Sequence, residues 1–133
     1  MSKHNYTLKM LYLKEILERE TDYEHGIKMG RILELLYMRG IEAERKSIYN
    51  DLEALSCMVG MDIQAPDRSD RTWRLLSREF EPEELSAIIA ALLEFDGLPP
   101  EKTLKIIRKL YHLCSRHQES ALREQVSRKQ RGR

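Results

Sequence analysis

Residues 44–55, ERKSIYNDLEAL, place polar side chains suited to nucleic-acid contact on one side of a candidate helix. Ile48, Leu52 and Leu55 recur at i, i+4 and i+7, so a helix here buries one narrow apolar stripe. The side chains left facing outward are Arg45, Lys46, Tyr49, Asn50 and Glu53. This outward face is the first candidate for a binding surface.

The same segment offers groups that proteins use to read duplex DNA. Arg45 and Lys46, in the first turn, can reach a guanine edge or phosphates. Ser47 can donate to a phosphate, Tyr49 can add a hydroxyl or ring contact, and Asn50 can pair with adenine. The alternative is an ordinary solvated helix face, so the neighbouring elements have to decide between the two.

Other residues that could take part in chemistry are arranged in ways that favour no reaction. On a helix, His112 and Cys114 would lie roughly 200° apart, so they could not share a zinc ion. Glu83 and Glu84 suit the N-terminus of a helix. The sequence has no Gly-rich phosphate loop and no pattern of Ser or Cys with His that suggests a nucleophile. We therefore expect neither catalysis nor a metal or other cofactor.

The composition is that of a soluble, helix-rich globular protein: 41% hydrophobic and 34% charged residues, with four prolines and six glycines in 133 residues. The formal net charge is only +1, so any nucleic-acid surface must be local. The longest mostly apolar run, residues 85–93, is far shorter than a membrane span, and the N-terminus lacks the apolar core of a secretory signal. We expect a cytoplasmic protein without a membrane partner. Its Cys57 and Cys114 are expected to be reduced thiols packed as small apolar groups.

Helical periodicity predicts three helices before residue 60. Residues 7–21 repeat leucine and isoleucine at helical spacing and form the first. Residues 28–39 form the second, and Gly40 stands where a helix C-terminus commonly needs a left-handed residue. Only residues 41–43 separate it from the third, so the pair predicts a helix-turn-helix.

The next segment has the pattern of a β-hairpin. Residues 61–65 alternate apolar and polar side chains, residues 66–71 form a turn cluster, and residues 72–76 favour a strand. Three helices followed by a hairpin is the order of a winged helix. In that fold the third helix enters the major groove and the hairpin, or wing, reaches the neighbouring backbone.

The winged-helix order assigns further residues. In the wing, Arg68 and Arg71, with Arg74, can follow the DNA backbone, although two interleaved aspartates cancel part of the field. Lys28, at the start of the second helix, is another phosphate candidate because that helix crosses the backbone. Asp51 is acidic, so we expect it to pair inside the domain with a basic residue of the second helix.

Residues 79–116 predict two more helices, opened by Pro82 in a first turn and separated by the sequence DGLPPEK. The second is expected to continue through Cys114. Both apolar faces are wider than mutual packing can hide. Burial at roughly 25 cal/mol per Å² therefore favours a further partner: the winged helix, a second copy or another protein. Residues 117–133 are expected to form a polar basic tail, either a solvated end or an arm that contacts phosphates.

Three segments resemble the N-terminal part of bacterial WYL-domain transcription regulators: TDYEHGIKMGRILELLYMRG, IEAERKSIYNDLEAL and RTWRLLSREFEPEEL. The likeness runs from about Leu8 to Cys114. In that family a winged helix-turn-helix precedes linker helices and a ligand-sensing WYL domain, and members usually dimerise on DNA. No Trp-Tyr-Leu tripeptide occurs in this chain, so the resemblance implies DNA binding and dimerisation without ligand sensing.

Two positions depart from the family pattern. Glu44 stands where the family commonly has Ser at the start of the recognition helix, and Glu is a weaker N-cap. Asn50 stands where the family commonly has Arg, so the chain loses a charge that could grip a phosphate or a guanine edge.

The expected architecture is mainly α with a small β-hairpin. A winged helix-turn-helix domain occupies residues 1–78, a two-helix extension residues 79–116, and the basic tail residues 117–133. The leading hypothesis is a sequence-specific, dimeric, DNA-binding transcription regulator, with a recognition helix at about 44–58 and a wing at about 61–76. The residues assigned to DNA are Lys28, Arg45, Lys46, Ser47, Tyr49, Asn50, Arg68 and Arg71. The alternative is a winged-helix adaptor that binds or sequesters a larger regulator.

Overall fold

The structure, a computed structural model, describes residues 3–132 and divides the chain into two compact units, Met1–Ser77 and Arg78–Arg133. Residues 3–132 are 66% helical, with a small two-stranded antiparallel sheet, which confirms the mainly α expectation with a hairpin. No helix within residues 3–132 combines the length and the apolar character needed to cross a bilayer.

The first unit contains three helices and the hairpin: α1 (Lys3–Glu20), α2 (Met29–Met38), α3 (Arg45–Ala54), β1 (Ile63–Gln64) and β2 (Arg74–Leu75). In the hairpin, Ile63 lies opposite Leu75. Just before β2, Trp73 forms an antiparallel bridge with Ile27, which lies between α1 and α2. Thr21 links α1 to β2, because its hydroxyl accepts from the Leu75 N–H at 2.9 Å. These contacts tie the second strand of the hairpin to α1 and to the segment between α1 and α2.

The core of the first unit forms where the apolar stripes of the three helices meet. The predicted stripe of α3 is confirmed, with Ile48, Leu52 and Leu55 all buried. Helical spacing of apolar residues predicts that Leu11 in α1 and Tyr37 in α2 pack inward, and this was wrong, because they are 57% and 66% exposed. The stripes that pack are narrower. They consist of Lys9, Leu13, Ile16 and Leu17 in α1, and of Met29, Ile32 and Leu36 in α2.

Gly40 ends α2 as predicted, in a left-handed conformation with φ +83°. Its N–H donates to the Tyr37 carbonyl at 2.9 Å, and the Ile41 N–H donates to the Leu36 carbonyl at 2.9 Å. These two bonds form a Schellman motif, which satisfies carbonyls that the helix end leaves without partners. Ile41 is buried beside Leu36, so the chain turns directly from α2 towards α3.

The third helix does not end cleanly at Ala54. A π-helical turn, Leu55–Val59, continues it to Gly60, which is also left-handed with φ +85°. Cys57 lies in this turn and is exposed, so the expectation that it packs as a small apolar group was wrong. Leu55 is the residue of this turn that faces the core, and Cys57, two residues later, therefore faces solvent.

The second unit contains α4 (Pro82–Glu94), α5 (Pro100–Leu110), a short 3₁₀ turn (Tyr111–Leu113) and α6 (Arg116–Arg131). Its separate core consists of Leu85, Ile89, Ile107, Tyr111, Cys114, Leu122 and Val126. The predicted continuation of the second helix through Cys114 was wrong. That helix ends at Leu110, so the angle between His112 and Cys114 assumed above does not apply.

The expectation of a polar tail at residues 117–133 was also wrong, because α6 runs through Arg131. Ser115 caps the helix: its hydroxyl accepts from the Gln118 N–H at 3.0 Å, and its own N–H donates to the Gln118 side chain at 3.1 Å. This capping box precedes Leu122 and Val126, which are buried one turn apart. The surplus apolar surface of α4 and α5 is thus partly covered by the chain itself.

Replacement by alanine is expected to change the stability of the first unit in opposite directions at two of its glycines. Gly40→Ala is expected to destabilise the unit by about 1 kcal/mol, because a side chain strains the left-handed backbone. Gly30→Ala, within α2, is expected to stabilise it by up to about 0.5 kcal/mol. An added Cβ meets nothing within 4 Å at either site, so backbone conformation alone decides.

Urea denaturation followed by the fluorescence of Trp73, the chain's one tryptophan, reports on the first unit. Equal midpoints for the two variants would contradict the assigned backbone conformations.

Candidate nucleic-acid interface

The outward face of α3 is open to solvent along its whole length. Arg45, Lys46, Asn50 and Glu53 are exposed, and Tyr49 is 47% exposed. Glu44 precedes the helix in an extended conformation and provides no side-chain capping bond, in line with its weak N-cap character. The face is therefore available to a partner.

The inner side of α3 is held by a buried lysine of α1. Lys9 has no exposed surface, and its Nζ lies 2.7 Å from Asp51 Oδ2 and donates to Ser47 Oγ at 2.7 Å. The Tyr6 ring lies over the same ammonium at 4.3 Å. Asp51 therefore pairs inside the unit as expected, but the predicted partner was wrong, because Lys9 belongs to α1 and not to α2.

The contact with Lys9 also changes the interpretation of Ser47. This residue is half-buried, and its oxygen accepts a hydrogen bond from within the protein. Ser47 and Asp51 are one helical turn apart, so a single ammonium fixes two successive turns of α3. The primary role of Ser47 in this structure is to position the helix.

Sequence reasoning did not single out Lys9, although a signal was present. Lys9 stands four residues before Leu13 and seven before Ile16, so it occupies the buried stripe of α1. A basic residue on an apolar stripe needs a buried partner. Asp51, one residue before Leu52 in α3, was the candidate to match it.

An aromatic contact connects α3 to the hairpin. The rings of Tyr49 and Trp73 are 5.4 Å apart at an interplanar angle of 56°, a tilted arrangement typical of favourable aromatic pairs. Tyr49 and Trp73, with Cys57 and Ile63 among others, line a groove of about 290 Å³. The backbone of Trp73 also pairs with Ile27. Trp73 therefore connects the hairpin both to α3 and to the segment between α1 and α2.

The tip of the hairpin is shaped by its aspartates. Asp67 Oδ1 accepts from the N–H groups of Ser69 and Asp70 at 2.8 and 2.7 Å. The Asp70 N–H, with the hydroxyl and N–H of Ser69, holds the pKa of Asp67 below its ordinary value. The aspartates predicted to cancel charge therefore also build the turn that carries Arg68 and Arg71.

Arg74 differs from the other arginines of the hairpin. Its Nε lies 2.9 Å from Asp70 Oδ2, and a guanidinium N–H donates to the Tyr23 carbonyl at 2.9 Å. Arg74 is thus held by the protein, whereas Arg68 and Arg71 are exposed.

Ten of the twelve Lys and Arg side chains of the first unit fall into two groups. Lys9, Lys14, Arg31, Arg39 and Arg74 each face a carboxylate. The predicted DNA contacts Lys28, Arg45, Lys46, Arg68 and Arg71 are exposed, and none of them forms an ion pair with any residue in the range 3–132. Lys3, at the start of α1, is also exposed and forms no ion pair in that range, so most but not all of these cations are predicted DNA contacts.

Acidic residues confine the positive charge of α3 to its first turn. Glu44 immediately precedes Arg45 and Glu53 follows one turn after Tyr49, and both are exposed. The free positive charge on the helix is thus concentrated at Arg45 and Lys46.

Family models, curated proteins and solved structures were all searched, and none of the three comparisons finds a match to this chain.

The buried ion pair predicts an asymmetric response to substitution. Lys9→Met is expected to destabilise the first unit by about 3 kcal/mol, because it leaves the Asp51 carboxylate without its buried partner. Lys9→Met/Asp51→Leu is expected to recover most of that loss, because it removes both charges.

The control is Lys14→Met, which breaks a pair whose side chains are 43% and 40% exposed, and it is expected to cost less than about 0.5 kcal/mol. Urea midpoints from Trp73 fluorescence give all three values. A Lys9→Met effect no larger than that of Lys14→Met would show that the buried pair does not hold α3.

The hairpin tip predicts a pH dependence. Because the folded-state pKa of Asp67 is lowered, its contribution to the turn is complete above the ordinary aspartate value of about 3.9 and is lost as the pH falls through the folded-state value. The Ser69 amide, which donates to Asp67, is expected to show an NMR transition below that ordinary value. The pKa of Asp70 is lowered as well, so the Asp70 amide responds to two carboxyls. Asp67→Asn, which keeps an acceptor oxygen, is the control and should remove the Asp67 transition from the Ser69 amide. A midpoint at or above the ordinary value would refute the assigned hydrogen bonds.

Proposed function

We propose that this chain is a sequence-specific DNA-binding regulator of transcription, without enzymatic activity, that acts as a dimer. In this proposal α3, with its π-helical turn, reads the major groove, and the hairpin at residues 61–76 is a wing that contacts the backbone. The observation that carries the proposal is a group of exposed cations that have no carboxylate partner within residues 3–132: Lys28, Arg45, Lys46, Arg68 and Arg71.

The order of elements supports a winged helix. The chain runs through α1, a short bridge at Ile27, α2, α3 and the hairpin, and the bridge pairs with the residue just before β2. A tight turn at Gly40 joins α2 to α3, as in a helix-turn-helix. The resemblance of residues 41–55 to WYL-domain regulators points to the same fold and function.

The chemistry of the α3 face supports base recognition as well as phosphate binding. Arg45 and Lys46 provide charge at the helix N-terminus, the part of a recognition helix that contacts base edges. Asn50 is exposed one turn after Lys46 and can pair with adenine through two hydrogen bonds. The ring of Tyr49 packs on Trp73, which connects the DNA-facing side of α3 with the proposed wing.

Dimerisation is proposed through the second unit. Phe95 is 55% exposed at the end of α4, and Leu92, Leu93, Leu98 and Leu104 line an adjoining hollow of about 270 Å³. An apolar hollow beside an exposed aromatic ring is typical of a surface that a partner buries. A second copy is the partner that a two-fold operator requires.

One observation favours the alternative, a protein-interaction adaptor. A groove of about 1,490 Å³ in the first unit lies between the start of α1, α2 and the start of α3. Tyr6, Tyr37 and Met38 line it and are 52–70% exposed. Glu34, Glu42 and Glu44 also line it, so the groove suits a basic protein segment with apolar anchors and repels DNA.

The proposal predicts how binding to duplex DNA depends on α3. Arg45→Ala/Lys46→Ala is expected to weaken binding to DNA from upstream of the protein's own gene by tenfold or more. The slope of log affinity against log salt is expected to fall by up to about 1.8, because each lost phosphate contact contributes about 0.9. Fluorescence anisotropy at several salt concentrations measures both quantities.

The matched control is Lys14→Ala/Arg128→Ala, which removes the same charge from cations that already face carboxylates. It is expected to bind as the wild type does. Equal binding by wild type and Arg45→Ala/Lys46→Ala would remove α3 from the interface, and the absence of any duplex binding would favour the adaptor.

A further inference from the structure

The second unit carries a basic surface that the proposed interface does not use. Lys102, Lys105, Arg108 and Lys109 of α5 are all exposed. At about 100° per residue they lie within roughly 120° of arc, opposite the buried Thr103 and Ile107. Glu101, in the first turn, is the one acidic residue of α5, so the exposed face keeps a charge of +3.

The cations of α5 differ from those of α6. In α6 each of Arg123, Arg128 and Arg131 faces a glutamate of the same helix, at 2.7, 3.4 and 3.0 Å, and Lys129 pairs with Glu94 of α4. In the part of the chain that the structure describes, none of the four α5 cations forms an ion pair. Arg128 and Arg131 share Glu124, so α6 keeps a net positive charge, but these four cations of α6 are held by carboxylates, whereas within residues 3–132 the four cations of α5 are not.

We propose that the exposed face of α5 is a second DNA-binding surface, which contacts the phosphate backbone without reading sequence. This inference rests on the proposed function, because it assigns a second contact to the same duplex. From Lys102 to Lys109 the helix rises about 10 Å, which matches roughly three phosphates along one strand.

The chemistry of this face favours a phosphate backbone over other anionic partners. A helix that binds an anionic membrane presents apolar side chains to the lipid, but the apolar side of α5 packs in the core of its own unit, where Ile107 is 1% exposed. A protein interface centres on aromatic or apolar anchors. The roughly 120° of helix surface that carries the four cations has none. Phosphate binding needs only cations and their spacing.

The test compares Lys105→Gln/Lys109→Gln with Arg128→Gln/Arg131→Gln, which removes the same charge from α6. Glutamine removes the charge and keeps the helix propensity of the replaced side chains, and circular dichroism checks that both variants retain their helices. Affinity is measured by anisotropy for the upstream duplex, an unrelated duplex and an RNA duplex of equal length, each several helical turns long.

The α5 variant is expected to lose about tenfold in affinity and up to about 1.8 in salt slope, equally for both DNA duplexes, because the contact carries no sequence information. The α6 variant is expected to bind as the wild type does. By contrast, Arg45→Ala/Lys46→Ala should also reduce discrimination between the two DNA duplexes.

The remaining outcomes overturn the inference in distinguishable ways. If the α5 variant binds DNA as the wild type does while the α3 variant is weakened, the α5 surface is wrong and the proposed function stands. Tighter binding to duplex RNA than to DNA would assign the surface to RNA. If no duplex binds the wild type, both proposals fail, and binding to phosphatidylserine vesicles that the α5 variant loses would assign the surface to a membrane.

Discussion

The placement of α3 depends on one buried ammonium. Lys9 lies inside the first unit, and its charge is matched by Asp51 and shared with Ser47, both on the inner side of α3. A buried charge is stable only when its partners are fixed, so the pair specifies the rotation of α3 about its own axis. That rotation turns Ile48 and Leu52 inward and leaves Arg45, Lys46, Tyr49 and Asn50 outward. The hairpin contacts the same helix, because Trp73 packs on Tyr49.

The positive surfaces of this protein depend on which cations are paired with carboxylates more than on the net charge. The net charge of +1 does not by itself indicate a polyanionic partner. Within residues 3–132, however, most exposed cations without a carboxylate partner lie on the α3 face, the hairpin tip, the start of α2 and one side of α5. In α6, by contrast, arginines face glutamates of the same helix. Local fields of this kind steer and bind phosphates without making the whole chain basic. The acidic groove beside Tyr37 gives the first unit a surface of opposite character.

The features that followed from the sequence depend on local physics. The α3 stripe, the left-handed Gly40 and the hairpin all arise from periodicity or turn chemistry within a few residues. The first errors came from reading only the average apolar character of a segment. Residues 117–133 were interpreted as a tail because they are polar, although Ser115 and Gln118 carry the pattern of a capping box and Leu122 and Val126 share one face. The burial of Lys9 was missed because it depends on a tertiary contact with Asp51 of a distant helix. The exposure of Cys57 was missed because it depends on a π-helical turn that continues α3.

The central claim is that the outer face of α3 enters the groove of duplex DNA, and photo-crosslinking tests it most directly. A photoreactive phenylalanine analogue placed at Tyr49, and separately at Tyr37, compares two exposed tyrosine positions of the same unit. The account predicts covalent adducts to bases of the upstream duplex from position 49 and not from position 37. Adducts from both positions at equal yield, or none from position 49 under conditions where the duplex is bound, would contradict it.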